Sequence, residues 1–411
     1  MRTIFYEDNS YANFYPVSFS RPVYTLLLGT SRIYKKWLEA LKIADYSFFS
    51  REYLAEITAL DAGGDVGVIP DDDLLFINGR YLPSPELVSA IKKLDTGEVL
   101  ESGDGAIAFR IGSDRSTELF EAIESLKNDL SDDKLLSLCK SKRVAEKPLG
   151  YIWDLINLNG EIIDREFTDG KGNPSVTDSI SKKAELIKPK KIHLGQNVAI
   201  GPMVVIDASQ GAVVIDNDVI IEPFTYIQGP AYIGPGSRLV GGRIREGCSI
   251  GPVCRVGGET EETIMQGFCN KYHEGFLGHA YLGEWVNLGA LTTNSDLKNN
   301  YGDIKVQPDD KLIDTRSMKV GCFIGDHTKT GIGTMLNTGI SIGFSCNLYG
   351  GALFTEKRIK SFGWGTPGEI VAYRLEKAVE TASASMSRRG MEFNEIHQRL
   401  FANIEKIDRY N

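Results

Sequence analysis

Leu194-Gly195-Gln196-Asn197-Val198-Ala199-Ile200-Gly201-Pro202-Met203-Val204-Val205-Ile206-Asp207 sets an aliphatic residue, followed by a small or polar one, at every sixth position. The pattern continues through Ile215-Asp216, Ile221-Glu222, Ile227-Gln228, Ile233-Gly234 and Leu239-Val240, then Ile250-Gly251 and Val256-Gly257. Leu282-Gly283, Leu288-Gly289, Ile324-Gly325, Ile342-Gly343 and Leu348-Tyr349 close it. A period of six is neither the 3.6 of a helix nor the 2 of an ordinary strand. It describes a chain that bends every six residues, a parallel β-helix of hexapeptides. Three hexapeptides make one triangular turn, so residues i and i+18 are expected to stack, with each aliphatic side chain inside the prism.

The 411 residues exceed what one domain needs. The repeats take 191–356, which leaves an α/β domain at 1–165, a polar linker at 166–190 and a helical segment at 366–411. In the first domain Thr3-Ile4-Phe5-Tyr6 reads as a strand. Ser31 and Ser50 read as helix caps, and Leu74-Leu75-Phe76-Ile77 reads as a buried strand stopped by Asn78-Gly79. Ser84-Pro85-Glu86 opens a helix, and Ser102-Gly103-Asp104-Gly105 turns a hairpin. Alternating strands and helices predict a mostly parallel sheet. Thr366-Pro367-Gly368-Glu369 reads as a capping box, followed by one helix lined by Leu375, Ala378, Ala382 and Met386 and another by Phe393, Ile396, Leu400, Ile404 and Ile407. Those apolar faces either cover an end or flank of the β-helix or bind something else.

A net charge of −9 speaks against nucleic acid as a partner. No apolar run approaches the about 18 residues of a membrane helix, and no apolar stretch follows Arg2 as in a signal peptide. The six cysteines form no CxxC pair and read as reduced thiols in a cytoplasmic protein.

The repeat is interrupted between Leu291 and Val320 by the polar Thr292-Thr293-Asn294-Ser295-Asp296-Leu297-Lys298-Asn299-Asn300-Tyr301-Gly302. Insertions at the corner of such a coil commonly build sites, because the coils themselves are used in packing. His273 precedes this break and Asn287 adjoins it. A histidine beside a polar loop suits general-base work on an amine nucleophile, and a plain corner residue is the other reading. His273 and His279 stand six apart, on consecutive faces, so they do not converge on one metal.

Lys271-Tyr272-His273-Glu274-Gly275-Phe276-Leu277-Gly278, then Asn287-Leu288-Gly289-Ala290, resembles the acetyltransferase region of the bifunctional N-acetylglucosamine-1-phosphate uridyltransferase / glucosamine-1-phosphate acetyltransferase family. Phe19-Ser20-Arg21-Pro22, Asn78-Gly79-Arg80, Trp153-Asp154-Leu155-Ile156-Asn157-Leu158-Asn159-Gly160 and Leu282 through Gly302 are similar to a divergent, shortened branch of it. The resemblance implies a reduced nucleotidyltransferase-like α/β sheet of Rossmann type and a left-handed β-helix, with C-terminal helices. The implied activities are acetyl-CoA-dependent N-acetyl transfer to an amino-sugar phosphate and sugar-1-phosphate nucleotidyl transfer, the latter with Mg2+. It further implies a homotrimer. In this frame His273 is the general base, and Arg243, Lys271, Phe276, Asn287 and Asp296 contact substrate. Gly325 and Asp326 adjoin the acetyl-CoA groove, and Arg21 and Arg80 the nucleotide. The family's Gly-x-Gly-Thr-Arg fingerprint is absent, Phe276 replaces a tyrosine, and Glu261-Glu262 replace lysines. A nucleotidyltransferase whose β-helix only assembles the oligomer, or a non-catalytic nucleotide-sugar-binding protein, are the alternatives.

Overall fold

The computed structural model describes residues 1–167 and 180–410 and divides into two compact units. The first comprises Met1–Phe14, Arg21–Leu26 and Ser31–Tyr151. Its core is a seven-stranded sheet. Arg2–Tyr6 pairs in parallel with Leu74–Asn78 on one side and Tyr46–Phe48 on the other, and Asp65–Val66 extends that edge. The sheet is mostly parallel, as expected, and Lys140–Arg143 closes the far edge in parallel with Glu98–Ser102. The hairpin Glu98–Ser102/Gly105–Ile111 supplies the two antiparallel pairings, one within itself and one to Leu74–Asn78. Alternation along the strands sends Phe5, Leu75 and Ile77 to one core cluster and Ile4, Tyr6, Leu74 and Phe76 to the other. Ser84 caps its helix through Leu87 N at 3.1 Å. Ser31 and Ser50 do not cap: the helix Ile33–Leu41 starts from Arg32 without a side-chain bond, and a 3-10 turn Glu52–Leu54 precedes Ala55–Ala62.

The second unit is a parallel β-helix with three sheets. The first face begins at Glu185–Ile187, the second at Ile192–Leu194 and the third at Ala199–Ile200. The aliphatic residues of the hexapeptides form a continuous core, with Ile200, Ile206, Ile215, Ile227, Ile250 and Leu288 all at 2% exposure or less. The stagger between stacked residues is not a constant 18. It is 21 at Ile192/Val213, 18 at Val213/Ala231 and 15 at Ser249/Ile264. The strands keep register while the corners take up the difference.

Coils therefore start within the expected linker, whose residues Thr168–Pro174 lie outside those described. The helix Ile152–Glu166, assigned by sequence partly to the first domain, belongs to this unit. Its buried Asn159 accepts from Gly29 N at 2.7 Å and donates to Gly247 O and Ser249 Oγ, both at 2.9 Å. Tyr281 Oη donates to Leu27 O and to Gln266 Oε1. Helix and segment Leu27–Thr30 thus cover the second face with satisfied polar groups.

The expected capping box at Thr366 is instead the turn of a hairpin, Gly363–Thr366 with Glu369–Ala372. Gly368 at φ +79° supplies the positive φ that a Pro-Gly turn of type II needs at its second central residue. The helices Leu375–Ser387 and Glu395–Asp408 follow. They cover a flank. Between the second and third faces, Phe268, Trp285, His327 and Phe362 occupy corner positions with φ between +54° and +62°. That conformation costs side chains about 1 kcal/mol each. Stacking offsets it: Phe268 lies on Trp285 at 4.2 Å, and Phe401 of the last helix meets His327 at 5.1 Å and Phe344 at 4.6 Å. No helix among the described residues is long and apolar enough to cross a membrane.

Candidate functional site

The corner between the first and second faces carries a cluster of ionisable side chains, His279, Asp296, Glu261 and Lys319. His279 turns this corner at φ +48°. Its N–H donates to Glu261 O at 3.1 Å, and its carbonyl accepts from Gly321 N at 2.9 Å. The excursion leaves the coil just after Thr293–Asn294 and returns at Val320, whose N–H donates to Asp296 O at 2.9 Å. Closing the base this way brings Asp296 Oδ2 to 2.8 Å from His279 Nδ1, with side chains 14% and 12% exposed. The excursion's own hairpin, Lys305–Val306 with Ile313–Asp314, is anchored by buried Ile304 and Val306. Lys319 Nζ reaches Glu261 Oε1 at 3.3 Å.

Burial alone would raise Asp296, but the hydrogen bond and charge of His279, with the charge of Lys319, hold its carboxyl below the usual carboxylate value. An ionised carboxylate can only accept, so Nδ1 carries the proton, and in the neutral form of the ring the lone pair is on Nε2. That is the arrangement of an oriented general base. Beside it, Glu262 is pushed up to about 6 by burial; the imidazole of His279 opposes the rise, and the charges of Glu246 and Glu261 add to it.

The residues expected from sequence do not converge within one chain. His273 is exposed on the turn between the third and first faces, in edge contact with Tyr272 at 5.3 Å. Lys271, expected at the substrate, is 1% exposed and stands after Val256 in the inward column of the third face. Its Nζ donates to His273 O at 2.6 Å, and burial lowers it to about 8. Asn287 lies on the third face and accepts from Asn270 Nδ2 at 2.8 Å. Arg243 and Phe276 share an outward column on the first face with Glu259 between them. Asp326, expected at a cofactor groove after Gly325, is 4% exposed, and its Oδ1 accepts from Glu284 N at 2.9 Å. It pins a corner. The cause is the step of six: each shift by one hexapeptide moves a residue to another face. Of the expected set only Asp296 joins a dyad, and its partner is His279. The signal for His279 was present, since it is the last residue before a coil that stacks on the break.

In the first unit, Arg80 spends its guanidinium on Asp8 through Nε and Nη2, and on Leu149 O. Burial would raise Asp8, but the Arg80 charge and hydrogen bonds from Arg80 and Asn78 keep it low. Asp132 is pushed up to about 6 by burial and by the charge of Asp8. Arg21 is 5% exposed, 3.8 Å from Asp61. Asp8 is occupied by the Arg80 guanidinium and in this arrangement is not open to a magnesium ion. Among the described residues no group of three or more His, Cys, Asp or Glu side chains is placed to hold a metal by itself.

Residues 3–171 match the family model described as sugar nucleotidyl transferase. The chain is 29% identical over 255 residues to the bifunctional sugar-1-phosphate nucleotidylyltransferase/acetyltransferase of Sulfurisphaera tokodaii, covering 51% of this chain and 61% of that one. It is 27% identical over 273 residues to the bifunctional protein GlmU of Acaryochloris marina, covering 66% and 50%. The matched stretches thus fall short of two thirds of these relatives' length. Among solved structures, an Arabidopsis UDP-N-acetylglucosamine acyltransferase is 14% identical, covers 55% of this chain and 89% of that one, and superposes with a TM-score of 0.29. The chain is thus similar, over part of their length, to the bifunctional sugar-1-phosphate nucleotidyltransferase/acetyltransferases, and its residues 3–171 are similar to the sugar nucleotidyl transferase family.

Proposed function

We propose that the β-helix unit transfers an acetyl group from acetyl-CoA to the amine of an amino-sugar phosphate in nucleotide-sugar synthesis. The observation that carries this reading is the His279 Nδ1–Asp296 Oδ2 contact of 2.8 Å at the foot of the excursion. His279 Nε2 takes the amine proton as the nitrogen attacks the thioester carbonyl, and Asp296 stabilises the imidazolium that forms. Arg243, exposed on the first face, is the proposed phosphate contact.

The reading includes a homotrimer in the cytoplasm. Two features support assembly. Candidate residues lie on different faces of one prism, so a shared site draws on neighbouring chains. Along the corner between the third and first faces, Met203, Phe224, Leu291 and Ile332 are exposed by 55–74%. His273 stands on that same corner and serves, in this reading, at the seam between chains.

For the first unit the proposal is sugar-nucleotide recognition. Transfer of the nucleotide is the family's reaction. The Asp8–Arg80 pair favours binding without transfer as a second reading. The test is release of coenzyme A thiol from acetyl-CoA across a panel of amino-sugar phosphates, glucosamine 1-phosphate first. No acceptor-dependent release would overturn the proposal.

A further inference from the structure

Two sheets meet around His279 without a ladder between them. Phe276–Gly278 is the last strand of the six-stranded first-face sheet, and Thr293–Asn294 is the first of a separate three-stranded sheet. Asn294 takes an inward place in this stack. It is in register with Leu336, and the corresponding residues of earlier coils are Ile227 and Ile244. An amide at 4% exposure in an aliphatic column is unfavourable unless its polar atoms are satisfied. Here they are. Oδ1 accepts from Gly278 N at 2.8 Å, and Nδ2 donates to Gly278 O at 2.9 Å and to Ser295 O at 3.3 Å. The side chain makes the two bonds a strand neighbour would have made. The opposite side is closed by Gly321, where a Cβ would lie 1.9 Å from Gly278 O and 2.5 Å from Asn294 Nδ2. Asn294 therefore grips the peptide leading into His279 and stands two residues before Asp296.

We propose that Asn294 is a positioning residue, whose amide clips the Gly278–His279 segment to the base of the excursion so that Asp296 meets the imidazole. The inference rests on the reading of His279–Asp296 as the proton acceptor. An aliphatic residue at 294 would serve the column as Leu277 and Leu336 do, and would leave the two halves of the dyad joined only through the backbone of Val320–Gly321.

The test follows the Asp296 carboxyl by carbon NMR titration in the wild type, in Asn294→Ala and in Asn294→Asp, with His279→Asn as the reference for a lost pair. Asn294→Ala is expected to raise the Asp296 midpoint at least halfway to the His279→Asn value. Its kcat should fall at least tenfold, with KM within threefold. Asn294→Asp keeps the volume and the acceptor for Gly278 N but sets an anion against two carbonyls, so an intermediate shift is expected. It decides the matter if the alanine variant does not fold. An unmoved Asp296 midpoint in the folded variants overturns the positioning role, whatever the activity. A moved midpoint with unchanged kcat supports the positioning role and overturns instead the catalytic reading of the dyad.

Discussion

Replacing Lys271 by methionine is expected to stabilise this protein at neutral pH. The lysine is 1% exposed inside the prism, and burial lowers its ammonium from 10.5 to about 8. At about 1.4 kcal/mol per unit, that shift opposes folding by about 3 kcal/mol while the group is charged. The Nζ–His273 O bond returns about 1 kcal/mol, and the corner carbonyl it leaves can be hydrated. Lys271→Met should therefore be more stable by about 2 kcal/mol at pH 7. The sign with pH follows from proton counting. Between about 8 and 10.5 the unfolded chain holds the proton that the folded chain has lost, so wild-type stability rises with pH across that window. The advantage of the variant should shrink toward pH 10. Urea unfolding followed by tryptophan fluorescence measures this, since Trp153, Trp285 and Trp364 all lie in the β-helix unit. A variant less stable at pH 7, or a gap that does not change with pH, would refute the reasoning.

Phe401→Ala removes the ring that meets His327, Phe344 and Phe393, and should destabilise docking of the last helix by about 3–5 kcal/mol. Hydrogen exchange should then rise across 375–408 while the coils stay protected. Arg80→Met leaves Asp8 buried beside no cation and should cost the first unit about 3–5 kcal/mol, read as a lower thermal midpoint. Asp296 titrates below its ordinary value, so the stability it confers is present above the unfolded carboxylate midpoint and is lost as pH falls through the folded one. Acid titration of stability should accordingly bring wild type and Asp296→Asn together, with the wild type ahead only at higher pH.

The coils were legible because burial inside a triangular prism imposes a period that nothing else imitates, and Ile200, Ile227 and Leu288 all face inward as expected. The break at Thr292–Gly302 also marked the polar site. Which side chains gather there was not legible. Corners of unequal length shift the stagger from 21 to 15, so spacing in sequence does not fix which residue reaches which edge. Lys271 shows the difficulty: its charge suggests a ligand contact, yet its register after Val256 sends it into the core. Trp153 through Gly160 resembled a family signature. Its buried Asn159 ties the helix to the second face, a contact among residues up to 130 positions apart. Pro367-Gly368 fits both a helix start and a hairpin turn, and the free edge of Gly363–Thr366 decides for the hairpin.

The most direct measurement compares His279→Asn with His273→Asn in acetyl transfer to an amino-sugar phosphate. Loss of a positioned general base lowers kcat by about 10²–10⁴-fold. The account predicts a loss of that size for His279→Asn and a rate within a few-fold of wild type for His273→Asn. Full activity of His279→Asn, or a loss confined to His273→Asn, would contradict it.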